Sequence, residues 1–161
     1  MEICKLKESH YPEVAAIYRE GLETGFASFE TEVPSWEAWN RKFLESCRFV
    51  AVDGQKVVGW AALSQVSKRP VYSGVAENTV YVAASHRAGG IGIKLLNHLV
   101  TASEKAGFWT LQAAVFPQNT ASLKLHRACG FRVVGIREKI GKRDGEWFDN
   151  IFLERRSKKI F

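Results

Sequence analysis

The segment HRAGGIGIKLL, residues 86–96, places three glycines in four positions directly before an apolar helical pattern. Glycine inside a helix costs roughly 1 kcal/mol relative to alanine, so its use here needs a compensating gain. The first turn of a helix has unpaired N–H groups and partial positive charge, and it binds anions. Because glycine has no Cβ, phosphate oxygens can approach such a backbone closely. The segment therefore predicts a phosphate site; the alternative is a glycine-rich turn needed only for tight packing.

Two common phosphate motifs do not fit this segment. A Walker loop requires Gly-Lys-Ser/Thr, which the chain lacks. A dinucleotide fingerprint requires a third glycine where Leu95 stands, and a leading βαβ unit. Arg87 and Lys94 add positive charge near the predicted helix start.

Hydrophobic periodicity and turn residues predict the order βααβββαβαββ. Ser35 is a plausible cap for a helix in which Trp36, Trp39 and Phe43 share a face, and Asp53-Gly54 is a hairpin signal. The helices are expected from about residue 10, after Pro34, after Gly90 up to Gly107, and at 120–129. The strands are expected at 2–7, 48–54, 56–66, 75–83, 109–116, 131–140 and 146–154. We predict one α/β domain over residues 1–161, a mixed and mostly antiparallel sheet flanked by helices.

Composition narrows the class of protein. The 161 residues contain no apolar run of membrane-spanning length, and the N-terminus lacks an apolar leader. Three cysteines without CxxC spacing indicate reduced thiols, a cytoplasmic location and no metal site. The 23 basic and 17 acidic residues give a net charge of +6, mostly dispersed. We interpret the run ERRSKK, residues 154–159, as a solvated tail, so neither nucleic acid nor membrane is an expected partner.

The segment around Gly90 resembles the acyl-CoA pyrophosphate loop of the GNAT N-acetyltransferase superfamily, in the form Arg87-x-x-Gly90-x-Gly92. The stretch PQNTASLKLHRACGF resembles the Asn-bearing helix of that superfamily. FASFET, RPVYSGVAENTVYV, FPQNTASLKLH and GKRDGEWFD are similar to its phosphinothricin / methionine sulfoximine N-acetyltransferase branch. Ala88 departs from the loop, where many relatives carry glycine.

The resemblance implies acetyl-CoA as cosubstrate, without a metal, bound where two parallel strands separate. Asn119 matches a position near the reactive end of the cofactor, although it could equally be an ordinary helix N-cap. The implied cofactor-binding residues are Val80, Tyr81, Val82, Arg87, Ala88, Gly89, Gly90, Ile91, Gly92, Ile93 and Asn119.

The resemblance also implies two catalytic candidates. Glu77 matches the branch's acid and is the expected general base, directly or through water; the alternative is a strand glutamate in a salt bridge. His126 stands where many superfamily members place a tyrosine and could protonate the leaving thiolate, or could be a partly buried polar helix residue. Cys129 is expected to be structural.

The acceptor is implied less strongly. The branch contacts the acceptor's carboxylate from a segment that corresponds here to Arg69, Pro70, Val71 and Tyr72, with Ser73 in place of a second basic residue. Phe29 and Glu30 match a loop that caps the acceptor, although Phe29 could simply pack in the interior. The branch commonly forms homodimers, in which Trp147 and Phe148 would lie at the subunit contact.

These observations predict an acetyl-CoA-dependent N-acetyltransferase for an L-amino acid or an analogue such as phosphinothricin or methionine sulfoximine. An acidic cleft would instead favour a polyamine, and an open groove a protein N-terminus. A non-enzymatic CoA-binding module and a basic nucleic-acid binder are the remaining alternatives.

Overall fold

The structure is a computed structural model that describes residues 1–161. Seven strands form one sheet in the order β1-β2-β3-β4-β5-β7-β6, with only β4 and β5 parallel. The strands are β1 (Glu2–Lys5), β2 (Phe43–Asp53), β3 (Lys56–Gln65), β4 (Val75–Val82), β5 (Thr110–Val115), β6 (Arg132–Arg143) and β7 (Glu146–Arg156). The helices are α1 (Tyr11–Glu23), α2 (Trp36–Lys42), α3 (Ile91–Lys105) and α4 (Thr120–Ala128). The predicted element order and the mostly antiparallel sheet are confirmed.

The sheet separates two apolar cores. One face packs against α3 and α4 through a cluster of 18 buried residues that includes Leu95, Leu99 and Leu111. The other face packs against α1 and α2 through 13 buried residues, with Trp39 and Trp60 at its centre. Side chains alternate between the faces along each strand, so neighbouring residues of one strand reach different cores. No helix has both the length and the apolar character needed to cross a membrane.

Several predicted boundaries follow local turn chemistry. The Ser35 side chain accepts a hydrogen bond from the Ala38 N–H at 3.2 Å and caps α2, as predicted. Gly107 has φ = 92°, a left-handed conformation that glycine adopts without strain, and it follows α3. Asp53 pairs with Lys56 across the β2–β3 hairpin, so the predicted hairpin is confirmed.

The predicted end of α2 and start of β2 are wrong. Phe43 is the first residue of β2 rather than part of the helix, and it still packs on Trp39 at a ring separation of 4.7 Å. The sheet register shifts between Phe43 and Arg48, and the buried Arg48 donates to the Phe43 and Leu44 carbonyls at 2.7 and 3.0 Å. Pairing of Phe43 with Ser64 on β3 therefore holds Phe43 in an extended conformation, although the local sequence pattern favours a helix.

The predicted solvated tail at residues 154–159 is also partly wrong. β7 continues to Arg156, and the chain beyond it docks on α3. The Glu104 carboxylate accepts hydrogen bonds from Arg155 at 3.1 Å and from the Ser157 hydroxyl at 2.9 Å, and it pairs with Lys159 at 3.3 Å. Two of the basic residues of this run therefore neutralise a largely buried carboxylate.

Candidate active site

The two parallel strands separate after three paired positions. β4 and β5 pair only from Val75 to Glu77 and from Thr110 to Gln112. β4 then continues to Val82 along β3, and β5 to Val115 along β7. We call the gap between residues 78–82 and residues 113–115 the slit.

The backbone of β4 supplies hydrogen-bonding groups to the slit. The Ala83 N–H donates to the Val58 carbonyl at 2.9 Å, so the backbone groups of Ala83 face β3. Alternate residues of a paired strand direct their N–H and C=O groups to opposite sides. The amides of Val80 and Val82 therefore face the slit, where β5 has moved away.

The start of α3 lies at the end of the slit and has free donors. Gly90 precedes the helix with φ = 78°, and no side chain caps it. The first amide bonded within this turn is that of Lys94, which donates to the Gly90 carbonyl at 3.2 Å. The amides of residues 91–93 therefore have no helical partner, whereas Ser35 and Asn119 cap α2 and α4. This uncapped end fits the phosphate groups of a CoA ligand.

Neighbouring groups support this assignment. Arg87 is exposed and lies near the end of β4, with its Nε 3.4 Å from the Val82 carbonyl oxygen. The first turn of α3 carries no acidic residue that would compete with an anion. Positions 88–90 are also exposed, so an anion has access to the backbone.

Ala88 has φ = 63°, a left-handed conformation that is unfavourable for a residue with a Cβ. We predict that Ala88→Gly raises the free energy of unfolding by about 0.5–1 kcal/mol, the relief of strain being partly offset by greater freedom of the unfolded chain. Thermal unfolding of both proteins without ligand measures this difference, with Ala84→Gly, at an exposed position of φ below zero, as the control. Destabilisation by Ala88→Gly would contradict the prediction.

Glu77 lies beside the slit on the face covered by α1 and α2. The side chain of the preceding residue, Ala76, lies in the core beneath α3 and α4, so Glu77 lies on the other face of the sheet. Glu77 is in register with Ser64 on β3 and with Gln112 on β5. Burial raises the pKa of the Glu77 carboxyl, while the positive charges of Lys42 and Arg137 oppose that rise. No protein group hydrogen-bonds to this carboxylate, so it is available to accept a proton.

Lys42 is a site residue that the sequence did not reveal. It ends α2, donates to Glu30 at 2.7 Å, and its charge reaches Glu77. The Tyr18 hydroxyl donates to the other Glu30 oxygen at 2.9 Å. Burial opposes ionisation of Glu30, but the bonds from Lys42 and Tyr18 lower its pKa below the usual value. The loop between α1 and α2 is thus tied electrostatically to the site around Glu77.

Comparison with known proteins identifies the family. The family model for the acetyltransferase (GNAT) domain matches residues 4–152. The chain belongs to the GNAT acetyltransferase family. It is therefore an acetyl-CoA-dependent N-acetyltransferase, and the slit and the uncapped end of α3 are the features of this GNAT chain that fit its cosubstrate.

Three individual proteins are similar over much of the chain. A phosphinothricin N-acetyltransferase of Alcaligenes faecalis is 34% identical over 157 residues, covering 93% of this chain and 79% of the relative. An L-methionine sulfoximine/L-methionine sulfone acetyltransferase of Pseudomonas aeruginosa is 31% identical over 99 residues, covering 62% of this chain and 58% of the relative. A GNAT superfamily phosphinothricin acetyltransferase from Sinorhizobium meliloti, solved in complex with AcCoA, has a TM-score of 0.88 at 28% identity, over 99% of this chain and 89% of that one.

The structure brings only some of the predicted acceptor residues of this GNAT chain together. Phe29 packs edge-on against Phe116 at 4.7 Å, next to the slit, and is half-buried, so its role in capping the acceptor stays a prediction. Glu30 joins Lys42 and Tyr18. Residues 69–72 lie on the exposed loop between β3 and β4, where Arg69 stacks on Tyr72 at 5.3 Å. No hydrogen bond or ion pair joins that loop to Phe29 or Glu30.

His126 occupies a closed environment in this acetyltransferase. Its Nδ1 lies 2.7 Å from the Ser122 carbonyl oxygen, which only accepts, so Nδ1 carries a proton. Its Nε2 lies 2.8 Å from the Asn78 amide nitrogen. Burial lowers the pKa of His126, although the bond to Ser122 opposes that change. A neutral imidazole with both nitrogens occupied favours the structural role over that of a general acid.

Asn119 and Cys129 have clear local roles. The Asn119 Oδ1 accepts from the Ser122 N–H at 3.2 Å, which is the N-cap arrangement of α4. This bond leaves the amide NH₂ of Asn119 free to contact the cosubstrate. Cys129 is buried, and burial raises the pKa of its thiol, which suits the structural role expected for it. No cluster of three or more His, Cys, Asp or Glu side chains forms a metal site.

Proposed function

We propose that this GNAT enzyme transfers acetyl from acetyl-CoA to the amino group of a small amino-acid-like acceptor such as phosphinothricin, methionine sulfoximine or methionine sulfone. The observation that carries the proposal is the half-buried carboxylate of Glu77 beside the slit, which no protein group hydrogen-bonds. The names of the similar proteins supply the acceptor class. We further propose that residues 1–161 form one domain in the cytoplasm, supported by the match over residues 4–152 and by three free cysteines.

Each part of the site has a chemical task. The thioester of acetyl-CoA supplies the activated acetyl group. The amides at the start of α3 hold its diphosphate, with Arg87 adding charge. Glu77 takes the proton from the acceptor ammonium, directly or through water, so that the neutral amine can attack the thioester carbonyl. The Val80 or Val82 amide donates to the carbonyl oxygen as negative charge develops there. The carbon–sulfur bond then breaks, and the CoA thiolate, with an ordinary thiol pKa near 8.5, leaves without the help of His126. The second proton of the attacking nitrogen passes to this thiolate or to solvent.

The acceptor class is tested by following release of the CoA thiol. The panel contains L-phosphinothricin, L-methionine sulfoximine, L-methionine sulfone, spermidine and a short peptide with a free N-terminus. We expect the highest kcat/KM with one of the three amino acids. A higher value with spermidine or the peptide would contradict the proposed acceptor class.

A polyamine is the second candidate because of one observation. The pocket between α1 and the β6–β7 hairpin is lined by the carboxylates of Glu23, Glu32, Asp144 and Glu146. These four negative charges outnumber the two positive charges of Arg19 and Arg143 in the same lining, so they would attract a polycation. Spermidine in the panel distinguishes the two candidates directly.

We also propose a homodimer formed through β6 and the hairpin that follows it. β6 is an edge strand, and Ile136 and Trp147 are 66% and 57% exposed. An apolar edge of this kind promotes association with another strand. Sedimentation equilibrium is expected to give twice the chain mass, and Ile136→Lys should shift the protein toward the monomer. A monomeric parent protein would contradict the dimer.

A further inference from the structure

A pocket of about 870 Å³ opens between the end of α1, the loop after it and the β6–β7 hairpin. Leu22 and Val33 contribute its apolar lining from one side, and Phe148 from the other. Arg143, the last residue of β6, also lines this pocket. Neither the cosubstrate site nor the proton transfer assigned to Glu77 uses Arg143.

Arg143 is a largely buried cation that makes no hydrogen bond to an anion; its one ion pair is a long one with the exposed Asp144. Its side chain is 10% exposed, and Nη2 donates to the Leu22 carbonyl oxygen at 2.8 Å. Its Nε and Nη1 are buried and have no hydrogen-bond partner. The nearest carboxylate oxygen, that of the exposed Asp144, lies 3.9 Å from Nε, which is too far for a hydrogen bond. Because leaving a buried charge unpaired is expensive, this arrangement favours the binding of an anion.

The pocket adjoins both strands of the slit. Arg143 bonds to the Leu22 carbonyl, and the neighbouring Gly21 lies directly against the Tyr81 ring. Tyr81 lies between the two β4 residues whose amides face the slit. On the other side, Phe148 lines the pocket and stacks at 5.1 Å on Phe116, the residue after β5. A ligand in the pocket would thus lie next to the separated strands, on the opposite face of the sheet from α3.

We propose that Arg143 binds the α-carboxylate of the acceptor and thereby selects amino acids over other amines. This inference rests on the proposed function. The two unpartnered nitrogens carry three N–H groups, and hydrogen bonds from a guanidinium to a carboxylate are among the stronger ones in proteins. The four exposed carboxylates around the pocket attract the ammonium group of the zwitterion toward the pocket, and Glu77 at the slit takes its proton. A polyamine would satisfy those carboxylates but would leave Arg143 unpaired.

The inference is tested with L-methionine sulfone and its carboxamide, which keeps the amine and side chain but lacks the carboxylate. For the parent enzyme we expect kcat/KM to favour the acid by about 10–100-fold, the range for hydrogen bonds to a charged group. Arg143→Gln should abolish this preference by raising KM for the acid, with little change for the carboxamide or in KM for acetyl-CoA. The acid-to-amide ratio is compared between parent and variant, so the different amine pKa values of the two acceptors cancel.

Arg132→Gln is the matched control because Arg132 begins the same strand, is exposed and pairs with Glu154. It should leave the acid-to-amide ratio unchanged. Equal loss with both acceptors in Arg143→Gln would show that Arg143 only ties β6 to the end of α1, and this would overturn the inference. Should that variant fail to fold, Arg143→Lys and the parent ratio remain as tests. Arg143→Lys is expected to give an intermediate ratio.

Failure of this inference can be distinguished from failure of the proposed function. A parent enzyme that acetylates acid and carboxamide equally well overturns the role of Arg143 and leaves the acceptor class intact. A parent enzyme that acetylates neither, but accepts spermidine or a peptide, overturns both.

Discussion

Glu77→Gln is expected to lower kcat by about 10²–10⁴-fold, the usual contribution of a general base. The loss should be greatest below the pKa of the acceptor amine, where the acceptor arrives as ammonium and must lose a proton. In the parent enzyme, activity should rise with pH through the raised pKa of Glu77, because only the ionised carboxylate accepts a proton. The charges of Lys42 and Arg137 keep that pKa from rising further.

Steady-state rates from about pH 5.5 to 9.5, a range that spans the ordinary α-amine pKa near 8, measure this effect. Glu154→Gln is the matched control, since Glu154 stands two strands away in the same cross-strand row. That control should change kcat by less than about fivefold, the most that an exposed ion pair contributes. A loss in Glu77→Gln that is equal at every pH would argue against a base.

The stability of Glu77→Gln shows whether its loss of activity arises from unfolding. Burial raises the pKa of Glu77, so the folded chain binds this proton more tightly than the unfolded chain does. The resulting stabilisation is present below the unfolded pKa, near 4.3, and is lost as pH rises through the folded pKa. At neutral pH, Glu77→Gln should therefore be at least as stable as the parent, and thermal unfolding of both proteins measures whether the loss of activity occurs in a folded enzyme.

Gly92→Asp is expected to weaken CoA binding by about 100-fold or more, because like charges brought together at a binding site cost several kcal/mol. A Cβ at position 92 would meet Leu125 methyl groups at 3.4 and 3.5 Å and a Val82 methyl at 3.7 Å, which are ordinary contacts. A carboxylate in the first turn of a helix is favourable for the helix itself. The variant should thus remain folded while its added charge repels the diphosphate.

Calorimetric titration with CoA, together with thermal unfolding, measures both properties. Asn97→Asp adds the same charge farther along α3 at an exposed position, so it controls for net charge. Retention of the parent affinity in Gly92→Asp would exclude this end of α3 as the diphosphate site.

The order of elements could be predicted because its signals are local. Ser35 and the positive-φ glycines at 90 and 107 mark helix ends with hydrogen bonds made within a few residues. The error at Phe43 had a tertiary cause: the helical pattern continues through it, but its pairing with Ser64 across β2 and β3 determines its conformation.

The candidate site likewise contains residues that a local sequence segment indicates and residues that only folding brings to the site. The glycine turn and the strand that carries Glu77 are each a continuous stretch of sequence, and the resemblance to the family implied their roles. Lys42 lies in none of the quoted motifs, and Arg143 lies in GKRDGEWFD, a segment that indicated the branch but assigned no role to this arginine. Each becomes significant only when folding brings it to Glu30 or to Leu22. Arg143 lies between the strands predicted at 131–140 and 146–154, where an arginine is ordinarily exposed to solvent.

The three paired positions that join β4 to β5 are held by contacts outside the slit. The amides of Trp109 and Thr110 both donate to the Gly74 carbonyl, at 2.8 and 3.1 Å, and the Trp109 ring occupies the space where a Cβ on Gly74 would stand. These contacts join β4 to β5 just before the point at which the two strands separate. Substitutions at Gly74 or Trp109 are therefore expected to change the width of the slit without changing any residue assigned to the chemistry.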